Sequence, residues 1–234
     1  MVTPIWLTAF IDVPADEHAR ALAFWCAVTG HRLAPHEGDS EEYATLYPAD
    51  ADPHLRVQRL GDGPARVHVD LHHPDQSFRV LSSPAGLPYC EVYAVRQRRA
   101  RPIKWPQGHH SAVDQLCIDI APSRFEEECE FWSERTGWPV KGFTEHPEFR
   151  ALVRPPEQPI RILLQRLEDE RPTSAHLDLS SDDREAETRR HEALGAHVVR
   201  RHEWWTVLRD PVGLEYCITD RDPHTGMVGR PGAD

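Results

Sequence analysis

Four residues in the second half of the chain have types and spacing suited to acid–base or metal chemistry. His176 and Asp178 are two apart in Ala175-His176-Leu177-Asp178-Leu179, and Glu215 and Cys217 are two apart in Leu214-Glu215-Tyr216-Cys217-Ile218. Strand alternation puts His176 and Asp178 on one face and Ala175, Leu177 and Leu179 on the other; Glu215 and Cys217 separate from Leu214, Tyr216 and Ile218 in the same way. Gln115, Cys117 and Asp119 share a face, as do Arg161, Leu163 and Gln165. Each strand then offers an apolar face to a helix and a mixed face to a cleft. An imidazole and a carboxylate on such a face can bind a divalent metal or transfer a proton.

The elements that must position these residues occur twice. Ile11-Asp12-Val13, Phe24-Trp25, Thr29-Gly30 and Gln58-Arg59-Leu60 recur 107 residues later as Ile118-Asp119-Ile120, Phe131-Trp132, Thr136-Gly137 and Gln165-Arg166-Leu167. His68-Val69-Asp70-Leu71 recurs as His176-Leu177-Asp178-Leu179, and Gly86-Leu87-Pro88-Tyr89-Cys90 as Gly213-Leu214-Glu215-Tyr216-Cys217. In the second copy, residues 115–120 alternate like a strand and Pro122 suits a first helical turn. Phe125, Cys129 and Trp132 then mark one buried helical face, with Gly137 as the stop. Strands are expected over 149–153, 160–165, 175–179, 198–199, 205–208 and 214–218, with a charged helix over 182–194 stopped by Gly195. The N-terminal acids of that helix suit its dipole. The first copy has 18 residues between Asp70 and Tyr89 where the second has 37 between Asp178 and Tyr216. It is therefore expected to lack that charged helix while keeping the strands, and the uncovered sheet face should pack on the second copy or on another chain.

The chain has 234 residues and divides into a first unit over 1–95, a basic linker over 96–111, a second unit over 112–220 and a polar tail over 221–234, which is expected to fray. The net charge of −11 excludes nucleic acid as the main partner. No apolar run approaches the roughly 20 residues needed to span a bilayer, and the start lacks the pattern of a signal peptide. A cytoplasmic protein without a membrane partner is expected. The Arg excess, 25 against 2 Lys, reads as the coding bias of a GC-rich bacterial genome. The five Cys are odd in number and include no Cys-x-x-Cys, so free buried thiols are expected. Trp132 and Phe125 read as core, and His72-His73 and His109-His110 as loop residues.

Gln165-Arg166-Leu167, His176-Leu177-Asp178-Leu179, the helix end Leu194-Gly195-Ala196 and the run Asp210-Pro211-Val212-Gly213-Leu214-Glu215-Tyr216-Cys217 give the chain a resemblance. It resembles the vicinal oxygen chelate superfamily, within it the glyoxalase-like and bleomycin-resistance-like domains, over nearly its whole length. The resemblance implies an α+β fold of two tandem glyoxalase-like domains built from βαβββ modules, the first domain missing one module helix. It also implies a divalent metal held at Gln115, Gln165, His176 and Glu215, with Glu215 as catalytic proton carrier and no nucleotide cofactor. Glutamine at both of the first two positions departs from the family pattern. Neutral amide oxygens are weaker donors than imidazole or carboxylate, and the set lacks the two His and one carboxylate of the iron extradiol dioxygenases. The first unit has Thr8, Gln58, His68 and Pro88 at these positions, with no carboxylate.

Two functions follow. One is a metal-dependent lyase or isomerase of glyoxalase type, acting through the second unit on a small oxygen-rich or carbonyl substrate, with Arg161 as an anion-binding residue. The other is a metal-free protein that sequesters an aromatic small molecule or antibiotic by stacking on Trp204 or Trp205, one ring facing the cleft and the other away. Either is expected as a monomer or homodimer with a small-molecule ligand.

Overall fold

The computed structural model describes residues 3–33, 42–61, 63–75, 77–93 and 97–228. Among these, two mixed sheets and three α-helices repeat one plan. The first unit contains β1 (Trp6–Pro14), α1 (His18–Thr29), β2 (Arg32–Leu33), β3 (Tyr43–Tyr47), β4 (Leu55–Leu60), β5 (Arg66–His73), β6 (Arg79–Ser82) and β7 (Pro88–Tyr93), with sheet order β2-β3-β4-β1-β5-β7-β6. The second unit contains β8 (Ile103–Lys104), β9 (His110–Ile120), α2 (Phe125–Thr136), β10 (Val140–Gly142), β11 (Phe149–Leu152), β12 (Arg161–Arg166), β13 (Ser174–Ser181), α3 (Arg184–Ala193), β14 (His197–Arg201), β15 (Trp205–Arg209) and β16 (Glu215–Thr219). Its order is β10-β11-β12-β9-β13-β16-β15-β14, with β8 paired to β9. In each sheet an antiparallel central pair, β1–β5 or β9–β13, is flanked by strands running parallel to it.

Alternation along the central strands sends one set of side chains into a single apolar core that runs through both units. Leu7, Ile11 and Val69 of the first unit and Leu116, Ile118 and Leu177 of the second are all fully or almost fully buried in it. The helices join the two sheets. On α1, Phe24 and Trp25 pack edge-on against Tyr216 of the second unit, and the Trp25 indole donates to Asp210 at 3.1 Å. On α2, Phe131 and Trp132 pack against Tyr89 of the first unit. Buried Glu128 accepts there from the Trp132 indole at 2.8 Å and from the Ala85 N–H at 2.7 Å. Both helices end on a left-handed glycine, Gly30 (φ 63°) and Gly137 (φ 69°), pressed against the other unit: a Cβ on Gly30 would stand 2.8 Å from Ile103, and one on Gly137 2.7 Å from Thr3.

Several expectations need correction. The first unit lacks a counterpart of α3, as the short spacing implies, but among the described residues it also lacks a counterpart of β14, because five residues between β5 and β6 leave no room for a further strand. The face left uncovered is closed by α2, while Phe78 and Val80 at β6 stay exposed. The linker is not free chain throughout: β8 pairs with β9, and His110 already belongs to β9. His72 and His73 lie buried in β5, not in a loop. Nor do residues 221–228 fray. Arg221 is buried in a two-bond pair with Asp114, Asp222 accepts from the next backbone N–H groups, and Arg221 bridges to Val228. All five cysteines are free.

Two buried histidines sit at the seam between units. His54 shares a hydrogen bond with the Val113 carbonyl at 3.2 Å and packs edge-on against His31. Burial is the main reason that His54 falls to about 4 and His31 to about 3. Both take up a proton only when the chain unfolds, so they subtract stability as pH drops below 6.5, by close to tenfold in the unfolding constant per pH unit per histidine. Urea titrations from pH 7 to pH 4.5 should show this fall, and His54→Gln should remove about one proton from its slope; an unchanged slope in the variant would contradict the assignment.

Candidate active site in the second unit

The mixed faces of β9, β12, β13 and β16 line an open cleft of about 1490 Å³. Register fixes who meets whom. Arg161, Gln115, Asp178 and Cys217 form one row across the four strands; Leu163, Cys117 and His176 form the next; Gln165, Asp119 and Ser174 form the third.

His176 is central. Its Nδ1 lies 3.1 Å from Asp119 Oδ2 and its Nε2 3.3 Å from Asp178 Oδ1. The thiols of Cys117 and Cys217 lie against the same ring. One donor atom each of His176, Asp178 and Cys217 falls within 4.8 Å of the other two, and the same holds for Cys117, Asp119 and His176. Burial works against a charged imidazole, but Cys117, Cys217 and Asp119 raise the His176 pKa well above its ordinary value. Burial also pushes up both thiols, Cys217 to about 11, so at neutral pH they are uncharged and Asp119 is the partner that favours the imidazolium. Asp178 takes a very short hydrogen bond from the Gln115 amide through Oδ2, which leaves Oδ1 directed at the ring.

The first unit carries the same arrangement. His68 Nδ1 is 2.8 Å from Asp12 and Nε2 is 3.6 Å from Asp70, with Cys90 close by. Despite burial, the bonds to Asp12, Asp70 and Cys90 raise His68 to about 11. The space above it is filled, however. Phe10 replaces Cys117 and stacks on the His68 ring at 4.7 Å, and Arg56 lies over the Phe10 and Tyr43 rings. The repeated constellation is thus Asp-His-Asp-Cys, which comparison of the two copies at those four positions would have revealed.

The residues singled out from sequence do not gather at one point. Gln115 and Gln165 are four residues apart along the β9–β12 ladder. Gln115 serves Asp178, and Gln165 accepts from the Cys117 thiol at 3.6 Å. Glu215 is exposed at the cleft rim, paired with Arg209 at 2.7 Å. Arg161 lines the cleft and donates to the Gly226 carbonyl at 3.1 Å. Trp204 and Trp205 both line it, contrary to alternation, because β15 begins only at Trp205. Trp205 stacks on His202 at 4.4 Å and meets Phe149 edge-on at 6.1 Å, giving one aromatic wall.

Two sheets of paired modules around such a cleft correspond to a sequence match with the glyoxalase-like domain model over residues 8–81 and 115–219. The chain belongs to the glyoxalase-like domain family. No curated protein matches it in sequence. Among solved structures, a Mn(II)-bound glyoxalase from Novosphingobium aromaticivorans is 15% identical with a TM-score of 0.61, covering 100% of this chain and 89% of that one. An extradiol ring-cleaving dioxygenase from B. fuscum is 13% identical with a TM-score of 0.60, over 98% of this chain and 75% of that one. The 2,2',3-trihydroxybiphenyl 1,2-dioxygenase from Sphingomonas wittichii is 11% identical with a TM-score of 0.56, over 100% and 97%. At these identities the glyoxalase-like chain shares a fold with them, and its chemistry must be argued from its own cleft.

In metal-free protein held in chelator, the His176 ring should keep its second proton to a higher pH than an ordinary histidine does. Nitrogen-15 NMR of the imidazole reads this directly, and Asp119→Asn should bring the titration back toward 6.5. A His176 titration at or below 6.5 in the parent would refute the arrangement.

Proposed function

We propose that the second unit is a divalent-metal-dependent enzyme of glyoxalase type, acting on a small carbonyl or oxygen-rich substrate by proton transfer. The observation that carries this reading is the convergence of His176 Nε2, Asp178 and Cys217 on the wall of an open cleft, with His176 Nδ1 held by Asp119. The donors fit such an ion. They are a nitrogen, an oxygen and a sulfur from three side chains, the set that leaves a position open for substrate. Asp178 Oδ1 is buried without a hydrogen bond. Asp119 stands where a second carboxylate orients a ligating histidine. Of the residues picked from sequence, His176 is in this set, Gln115 orients Asp178, and Gln165 and Glu215 lie at its edges.

A metal bound there polarises substrate oxygens as a Lewis acid. The chain's own residues do the rest. Glu215, on the cleft side of β16 two residues before Cys217, accepts and returns the proton through its carboxylate while Arg209 steadies it. Trp204 and Trp205 cover the substrate and limit water. Metal content of protein purified without affinity tag or chelator tests the site: near-stoichiometric metal in the parent and none in a His176→Ala/Asp178→Ala double variant is expected. Asp119→Ala should weaken affinity by about 10–100-fold. Glu215→Gln should abolish turnover without changing the fold, and retained activity would sink the assignment of that residue.

The wall of Phe149, His202, Trp204 and Trp205 favours a second reading, a binding protein for a flat aromatic ligand that needs no metal. Quenching of tryptophan fluorescence by aromatic ligands that survives chelator, and is lost in Trp205→Ala, is the expected mark. A strict metal requirement for every ligand that quenches would rule it out.

A further inference from the structure

The two copies differ by one inserted residue in their central strands. In the first unit, Thr8 faces Asp70 and Leu7 faces Leu71 without interruption. In the second, Gln115 faces Asp178 and Val113 faces Leu179, so Asp114 is the extra residue, left out of the pairing in a β-bulge. A bulge re-aims the side chain it frees. Asp114 is 2% exposed, and both its oxygens take Arg221 guanidinium nitrogens at 2.8 and 3.2 Å. Arg221 donates its Nε to Thr219, so its charge is spent within this group.

Three more arginines line the same end of the cleft: Arg99, Arg154 and Arg161. Each has a backbone carbonyl as partner, that of Pro156, Gln158 and Gly226 respectively. Among the described residues none of the three forms an ion pair. The carboxylate nearest Arg154 and Arg161 is Asp114, already engaged by Arg221. A guanidinium has five N–H donors, so one carbonyl leaves most of them available. Burial first, then the charges of Arg99, Arg161 and Arg221, brings Arg154 down to about 9 in spite of Asp114. Burial and the neighbouring Arg221 lower Arg161 as well. In a chain of net charge −11, half-buried cations gathered around a single carboxylate that is already paired with Arg221 are costly unless a further anion joins them. The first unit has none of this: the residue at the Arg161 position is His54, and Asp114 has no counterpart.

We infer that this arginine end of the cleft is an anion subsite, and that the substrate carries a carboxylate or phosphate group bound by Arg161, Arg154 and Arg99. This rests on the cleft being the active site proposed above, and it narrows the substrate to an anionic carbonyl or hydroxy compound. The spacing suits a small molecule. Arg161 is in the same row as Asp178, two strands away, about 10 Å between Cα atoms at ordinary strand separation. Both side chains point into the cleft, so an anion on the guanidinium leaves its neighbouring carbon and oxygen beside the His176 group. Asp178, the carboxylate in that row, takes the Gln115 amide on one oxygen and turns the other toward His176 at 3.3 Å, so it does not neutralise Arg161.

The test is calorimetric titration of the full chain with malonate and with inorganic phosphate, in chelator and at fixed ionic strength set with chloride. At least one probe should bind, phosphate the tighter if the substrate bears a phosphate and malonate the tighter if it bears a carboxylate. Arg161→Gln should weaken binding at least tenfold, and Arg154→Gln gives the same reading should the first variant fail to fold. His176→Ala should leave affinity within twofold, so that the subsite stands or falls separately from the metal site. Binding of neither probe, or affinity unchanged in the folded arginine variant, overturns the proposal.

Discussion

The structure depends on two helices, α1 and α2, that each lie on their own unit's sheet and reach an aromatic pair across to the other unit. A sheet with one apolar face must cover it, and a unit of this size has too little helix to do so alone. Here α1 puts Trp25 under Tyr216, and α2 puts Trp132 under Tyr89. Each crossing is also pinned by a buried carboxylate, Asp210 or Glu128, that takes an indole N–H. The polar pins fix which face meets which, and the aromatic rings supply the buried area. Neither half has a complete core by itself, so the cleft of the second unit is held rigid in part by residues of the first.

Helix α3 extends this logic with charge instead of rings. Glu187 is fully buried and meets His109 at 2.7 Å, Arg190 at 2.7 Å and His191 at 3.1 Å. Arg190 reaches across to the carbonyls of Ala27 and Val28 at the end of α1 and stacks on Trp105 at 3.5 Å. The last carbonyls of a helix want donors, and a cation there also complements the dipole. His191 passes the network on to the Tyr216 hydroxyl at 2.8 Å, directly behind the strand that carries Cys217. These bonds satisfy several groups that would be costly to bury unpaired.

Much of this was legible in the sequence, for reasons that differ by residue. The duplication and the strand faces were readable because a period of two sorts His176 with Asp178 and Gln115 with Cys117 and Asp119 whatever the tertiary context. The convergence of Asp119, His176, Asp178 and Cys217 was not, because it depends on the register among three strands and on which rotamer each side chain takes. The bulge at Asp114 was not, because Trp6-Leu7 and Ala112-Val113-Asp114 share no residue that would mark an insertion, and only the pairing with Leu179 reveals it. Glu187, Arg190 and His191 belong to a helix legible only as charged, because charge in a sequence does not tell a solvated face from one whose partners wait inside. Glu215 reads the same in sequence whether it points to a floor or a rim, and it lies at the rim because β16 begins with it.

The imidazole clamped between two carboxylates has a consequence for folding. With Asp12 and Asp70 around His68, and Asp119 and Asp178 around His176, each ring already supplies a positive charge at the place where its two acids need one. The raised pKa of His68 and of His176 fits a charged ring between each pair of acids. Refolding in a medium stripped of metal is therefore the expected behaviour, unlike that of small domains whose thiolates and imidazoles have nothing to hold them together until an ion arrives. A metal held by His176 would take the place of that ring's proton. In the first unit the Phe10 ring lies over His68, so that copy is closed as a strut where the second stays open to the cleft.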